Sequence, residues 1–386
     1  MIKVAISQRI IPHYRVPVFR ELASRKNIDL TVFYGFGFKN GSQANSNGIS
    51  GFKYLKLLTL KLIYQGIYKS PQLRVWHPTL FFHLVFRNFD VIITEPSTNF
   101  YNNISIFIYS FIFRKKIIWH DAGSVEKNKR PLFRRLIDPI LSIMIKNSDA
   151  YLTYNSFADT SLYRDHKINP KKIFRAQNTI DTDLINKQIK SYSPGTDSFR
   201  RNLNLHRFKT ILYIGGLEKR KKIDYLLKIV KKLNEKNLPT KALIVGDGPD
   251  KERLKFIAEN DCNSNAVFFG KKIKDKVKYI LISDIVVLPS SGGLSVVDAL
   301  ICGKPFVGSK EIEHGGICDY IDHGVNGFLF NEDNLNQLYN YSYELLTNKY
   351  LYENISKNAL IKSQDLSLKK MVDGYVNSIK FVMDEY

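Results

Sequence analysis

The sequence predicts an α/β protein built from two doubly wound, Rossmann-like domains facing across a cleft. Short β-branched runs alternate with longer helical patterns, the alternation occurs once in each half of the 386 residues, and a polar stretch separates the halves. Strand-helix alternation of this kind implies parallel sheets covered by helices on both faces.

In the first half the β-branched runs are IKVAIS at 2–7, IDLTVFY at 28–34, VIIT at 91–94, KIIW at 116–119 and AYLT at 150–153. Helical periodicity falls near 16–26, 78–87, 101–112 and 132–147. The second half repeats the pattern, with strands at 210–214, 241–245, 266–269, 284–288 and 305–307. Its helices are expected near 222–236, 250–259, 275–281, 293–301 and 334–346. The polar stretch SYSPGTDSFRR at 191–201 has no apolar period and reads as a hinge. The expected organisation is a first domain over 1–190, a hinge over 191–205, a second domain over 206–365, and a C-terminal helix over 366–386 that returns to the first domain.

Composition narrows the function classes. A hydrophobic content of 44% with 24% charged residues is that of a folded chain. Three cysteines, Cys262, Cys302 and Cys318, make neither a disulfide framework nor a zinc site and favour a reducing compartment. The N-terminal MIKVAISQRI lacks the apolar core of a signal peptide, so export is not expected. The longest apolar run, ISIFIYSFIF at 104–113, is too short to span a bilayer and reads as a buried helix between two strands. Of the net charge of +22, residues 1–190 hold +17 (29 basic against 12 acidic) and the remainder +5 (29 against 24). A basic first half favours an anionic partner such as a membrane surface. The interleaved basic and aromatic residues of YLKLLTLKLIYQGIYKSPQLRVW at 54–76 suit a lipid headgroup interface.

The second-half strands end in glycine: Gly215 and Gly216, Gly246 and Gly248, Gly270, then Gly292 and Gly293. Glycine at a strand-to-helix turn lets backbone amides approach a phosphate. In LPSSGGLSVVDAL at 288–300 the turn Ser290-Ser291-Gly292-Gly293 opens a helix, and Asp298 lies about a turn and a half inside it. A carboxylate there can accept hydrogen bonds from a ribose diol while the amides take a diphosphate.

At this point the chain resembles the retaining GT-B glycosyltransferases of glycosyltransferase family 4, a group that includes bacterial surface-polysaccharide enzymes. The segments that carry the resemblance are YIGGLEKRKKIDYLL at 213–227, LIVGDGPDKERLK at 243–255, VFFGKK at 267–272, SDIVVLPS at 283–290, GLSVVDALICGKPFV at 293–307 and YIDHGVNGFLF at 320–330. The resemblance implies a hexosyltransferase that moves a sugar with retention from a nucleoside diphosphate donor, a UDP-sugar in preference to a GDP-sugar, to a lipid-linked glycan acceptor. It implies no metal and no cofactor, no nucleic acid partner, and a place at the cytoplasmic face of the cell membrane.

By the same resemblance Lys221 and His120 (in WHDAGS at 119–124) are the catalytic candidates. Gly215, Gly216, Arg220, Gly270, Lys271, Ser290, Ser291, Gly292, Gly293, Leu294 and Asp298 would bind the donor, and His13, Tyr14 and Arg15 the acceptor. The chain departs from the family twice. The first of its paired acids falls on Ser290, and Asp298 is a shortened Glu. The family's Arg falls on Gly216, leaving Lys219, Arg220 or Lys222 as the cations that could stand in for it. Two other readings stay open: a GT-B sugar-nucleotide epimerase, with Glu95 and Asp121 as its acid-base candidates, and a non-catalytic subunit that binds a nucleotide sugar. A dehydrogenase is disfavoured, because QRIIPHYR and not a glycine fingerprint follows the first strand.

Overall fold

The computed structural model describes residues 1–36, 45–46, 48–65, 71–95, 100–121, 132–262, 265–272, 274–290, 293–310 and 316–384, with side chains of 62–65, 71–74 and 132–136 left aside. The chain divides into two units, Met1–Asn178 with Leu368–Tyr386, and Thr179–Ser367.

The first unit runs β1 (Ile2–Ser7), α1 (Val16–Ala23), β2 (Ile28–Tyr34), β3 (Lys53–Lys56), β4 (Leu60–Gln65), β5 (Pro71–Trp76), α2 (Leu80–Arg87), β6 (Val91–Thr94), α3 (Phe100–Phe113), β7 (Lys116–Asp121), α4 (Leu132–Lys146), β8 (Ala150–Thr153), α5 (Ser156–His166) and β9 (Ile173–Arg175). Its sheet has the order β3-β2-β1-β6-β7-β8-β9, every pair parallel, while β4 and β5 form a separate antiparallel hairpin. Strand β6, VIIT, is buried at every position, as a strand covered on both faces must be.

The second unit continues with α6 (Thr182–Tyr192), α7 (Thr196–Asn202), β10 (Lys209–Ile214), α8 (Ile223–Glu235), β11 (Thr240–Val245), α9 (Lys251–Asn260), β12 (Ala266–Gly270), α10 (Lys276–Ile282), β13 (Ile285–Leu288), α11 (Ser295–Ile301), β14 (Phe306–Ser309), α12 (Ile317–Tyr320), β15 (Phe328–Phe330), α13 (Leu335–Thr347) and α14 (Lys349–Ser363). Its sheet order is β12-β11-β10-β13-β14-β15, again all parallel. Helix α8 shows why the pattern was legible: Ile223, Leu226, Leu227, Val230 and Leu233 fall on one face, and all are buried. The chain then returns to the first unit as α15 (Leu368–Asp384), which packs on α1, β8 and β9 and buries Met371, Val372, Tyr375, Ile379 and Val382 in the first unit's core.

Two expectations are corrected. The hinge expected at 191–205 is helical: α6, a 3-10 turn at Ser193–Gly195 and α7 follow one another inside the second unit. One aromatic and one cation anchor this polar stretch. Phe199 packs edge-on to Tyr279, and the Arg200 guanidinium donates to the carbonyls of Ile282 at 2.6 Å and Phe208 at 2.8 Å. Helix α3, expected to be buried, keeps one side open, with Ile104, Ile108, Phe111 and Ile112 exposed. The segment 54–76 forms the end of β3 and the β4–β5 hairpin, with residues 66–70 outside the described ones. No helix among the described residues is long and apolar enough to cross a membrane.

Candidate functional site

In a doubly wound sheet, ligands bind beyond the carboxyl ends of the strands where the strand order reverses. In the second unit that point lies between β10 and β13. The loop after β10 carries Gly215, Gly216, Arg220 and Lys221, and the segment after β13 carries Ser290, Gly293, Leu294 and Asp298, so the topology brings these predicted residues together. Gly270 ends β12 and Lys271 follows it, two strands from β10 and so roughly 10 Å away at about 4.8 Å per strand. Ser291 and Gly292 lie outside the described residues.

The glycines divide into two kinds. A side chain at Gly246 would meet the Gly215 carbonyl oxygen at 1.9 Å, and one at Gly248 would meet the Leu217 oxygen at 2.3 Å. These two are required because the loops after β10 and β11 are laced backbone to backbone, with Leu217 N donating to Asp247 O and Asp250 N to Leu217 O, both at 3.0 Å. Gly293, by contrast, has nothing within 4 Å of a would-be side chain, and Gly216 has only the flexible end of Glu218. Both are exposed, so their backbones are open to a ligand.

The cations sort as sharply. Lys222 sits at φ +50° and donates to Glu332 at 2.7 Å and Asp333 at 2.8 Å, so its charge is already matched. Arg220 is exposed and pairs with Glu218 at 2.6 Å. Lys221 is half-buried in the 3-10 turn Lys219–Lys221.

Asp298 departs from expectation. Helix α11 begins at Ser295, so Asp298 falls in its first turn, with the carboxylate buried at 3% exposure. The reason is the company it keeps: Val296, Val297, Ala299 and Leu300 are all buried with it. One oxygen accepts from Lys276 Nζ at 2.6 Å, and the other, Oδ1, has no partner. Burial pushes the carboxyl up from its ordinary range, and the Lys276 ammonium opposes that shift. Lys276, at the start of α10, is the residue that the sequence did not single out.

In the first unit the equivalent reversal point lies between β1 and β6. Gln8, just after β1, donates from Nε2 to Glu95 Oε1 at 2.8 Å, just after β6. Burial raises the Glu95 carboxyl, against the pull of Arg15 and Arg9. Beside it a compact stack forms. The Arg15 guanidinium lies 4.5 Å from the Tyr154 ring centre, the His120 and Tyr154 rings are 4.0 Å apart, and Tyr375 of α15 meets His120 edge-on at 5.5 Å. His120 Nδ1 is 3.3 Å from the Tyr154 hydroxyl, whereas Nε2 has no partner.

His120 is therefore buried, at 1% exposure, rather than open to a sugar, and burial followed by the charge of Arg15 holds its pKa well below the usual histidine range. Arg15 is also buried, Tyr14 is half-buried, and of the three predicted acceptor residues His13 is the exposed one. Residues 122–124 of the WHDAGS segment lie outside the described residues. Tyr154 and Tyr375 were missed because nothing local in the chain links them to His120.

Residues 196–361, nearly all of the second unit, match the family of glycosyl transferases group 1. An uncharacterised glycosyltransferase of Haemophilus influenzae is 31% identical over 168 residues, 43% of this chain and 47% of that protein, so the chain matches about half the length of this relative. An uncharacterised glycosyltransferase of Methanocaldococcus jannaschii is 27% identical over 317 residues, 77% of this chain and 76% of that one. The crystal structure of Anabaena HepE in complex with UDP has a TM-score of 0.74 at 16% identity, over 98% of this chain and 100% of that one, which establishes a shared GT-B fold.

Proposed function

We propose that the protein is a retaining, metal-independent glycosyltransferase that moves a hexose from a UDP-sugar to a lipid-linked glycan in cell-surface polysaccharide biosynthesis. The observation that carries this is the coincidence of the group 1 match over 196–361 with a unit whose reversal point gathers Lys221, the open backbones of Gly216 and Gly293, and Asp298. UDP is the nucleotide in the complex of the structurally similar HepE, which supports this choice of donor. Lys221 opposes the charge that grows on the diphosphate as the sugar leaves. The bond from the anomeric carbon to the diphosphate oxygen breaks, the acceptor oxygen bonds to that carbon on the same face, and the acceptor proton passes to the departing phosphate. The +17 charge of residues 1–190 suits an acceptor held at an anionic membrane.

The test is thermal shift with nucleoside diphosphates, followed by release of UDP from UDP-hexoses by the purified protein and its Lys221→Ala variant. Stabilisation by UDP at about 100 times its dissociation constant amounts to about 2.7 kcal/mol. Lys221→Ala is expected to lower kcat more than it raises KM. Binding without turnover would favour a non-catalytic subunit, and an epimerised nucleotide sugar as product would favour the epimerase, for which the Glu95 site is the specific observation.

A further inference from the structure

The first unit holds a buried pair of cations that the transfer chemistry does not use. Arg9 and Arg15 bracket the loop that joins β1 to α1, at the reversal point between β1 and β6 where a doubly wound sheet meets its ligand. Backbone bonds pin that loop. Gly35 N donates to Arg9 O at 3.0 Å, Ile11 N to Asn45 Oδ1 at 2.9 Å, and Arg15 N to Pro12 O at 2.9 Å. Both arginines therefore project from a fixed frame.

A buried guanidinium is ordinarily paired, because leaving its donors unmatched costs more than leaving a neutral group unmatched. Arg15 is 6% exposed, lies 4.5 Å from the Tyr154 ring centre, and has no partner on Nη1. Arg9 is half-buried, and its Nη1 is likewise buried without a partner. A ring face offsets part of the cost of burying a cation, but it supplies no acceptor in the guanidinium plane. The two arginines share one neighbourhood, since both act electrostatically on the Tyr14 phenol and on the Glu95 carboxyl. Glu95 already accepts from Gln8 Nε2 at 2.8 Å. Two cations thus face one carboxylate, and one negative charge would complete the balance.

We propose that this pocket binds the carboxylate of a sugar acid in the acceptor, with the Nη1 groups of Arg9 and Arg15 donating to its oxygens, so that the protein extends an acidic glycan. Planar guanidinium donors match a carboxylate in geometry as well as charge. A phosphate, at about −1.5 to −2 near neutral pH, would overshoot the single charge needed. That the sugar acid is an acceptor rests on the glycosyltransferase reading; that the pocket takes a carboxylate does not.

The test is thermal shift of the full-length protein titrated with sodium glucuronate, glucose 6-phosphate or glucose at matched ionic strength, with UDP titrated separately. Glucuronate is expected to bind about tenfold or more tighter than glucose, because charge-assisted hydrogen bonds are gained. Arg9→Gln, at the half-buried position, should remove that preference and leave stabilisation by UDP unchanged. Glu95→Gln keeps the shape and removes the competing negative charge, so it should tighten glucuronate severalfold, a gain that a merely structural arginine pair would not give. The proposal is overturned if glucuronate and glucose stabilise equally, if glucose 6-phosphate binds tighter than glucuronate, or if Glu95→Gln leaves glucuronate affinity unchanged. It is also overturned if Arg9→Gln weakens UDP as much as glucuronate, which would give the pocket to the donor. The comparison of the three sugars needs no variant, so it decides the matter even where a substitution prevents folding. Glucuronate binding without any stabilisation by UDP would sink the glycosyltransferase reading and leave this pocket standing, whereas UDP binding without a glucuronate preference would sink this inference alone.

Discussion

The pair formed by Lys276 and Asp298 shows what a single buried charge requires of its neighbours. With Asp298 at 3% exposure, the Lys276 ammonium at 2.6 Å is the cation that makes its ionised form tolerable. Lys276→Met is expected to destabilise the protein by about 3 to 5 kcal/mol in urea unfolding, because it strands a buried carboxylate. The deficit should shrink as pH falls: a carboxyl whose folded pKa is raised gains protons on folding, so stability rises toward acid until both states are protonated. A deficit independent of pH would mean that Lys276 contributes only packing. In the sequence the apolar flanks of Asp298 could be read, and they foretold a non-polar face; the partner 22 residues upstream could not, since only the packing of α10 on α11 brings them together.

At the scale of elements, the interior strands and the strongly amphipathic helices were legible because burial on both faces, or on one stripe, demands a pattern. Of the four strands that edge the two parallel sheets, β12 was legible and the other three were not. Strands β3, KYLK, and β9, IFR, border the first sheet, and β15, FLF, borders the second, each too short or too exposed to show a period. Helix α14 was missed for a related reason, since it buries Ile355 and Ala359 on an otherwise mixed surface. The α6–α7 segment is the sharper case: Ile185, Ile189, Tyr192, Phe199 and Leu203 pack on the second unit's core, but polar residues and the 3-10 turn interrupt the stripe, and Arg200 adds an anchor that no pattern shows. Arg200→Ala is expected to cost about 2 to 3 kcal/mol by leaving the Phe208 carbonyl without its side-chain donor and the Ile282 carbonyl with only the longer bond from the Thr210 hydroxyl at 3.2 Å, measurable by urea unfolding. A change within about 0.5 kcal/mol, as at an ordinary surface position, would return the segment to the status of a linker.

For the molecule as a whole, two buried neutral histidines make the first unit acid-sensitive. His77 has no partner on either ring nitrogen, and burial lowers its pKa from 6.5 to about 4. His120 shifts in the same direction. A histidine depressed in the folded state binds its proton more readily when unfolded, so its contribution is complete above pH 6.5 and is lost as pH falls toward about 4. Urea unfolding at pH 5 against pH 7 should show a loss of at least about 2 kcal/mol in the transition of the first unit, reduced in His77→Gln; an equal loss in that variant would assign the effect elsewhere. The return of α15 to the first unit has a consequence for the order of biosynthesis. The second unit is one unbroken stretch, Thr179–Ser367, whereas the first is completed by a helix translated after it. On the ribosome the later-made domain can close while the earlier one still lacks Tyr375 and Ile379 from its core, so a nascent chain stalled before Leu368 would present an unfinished apolar surface to chaperones even though most of its residues had already emerged.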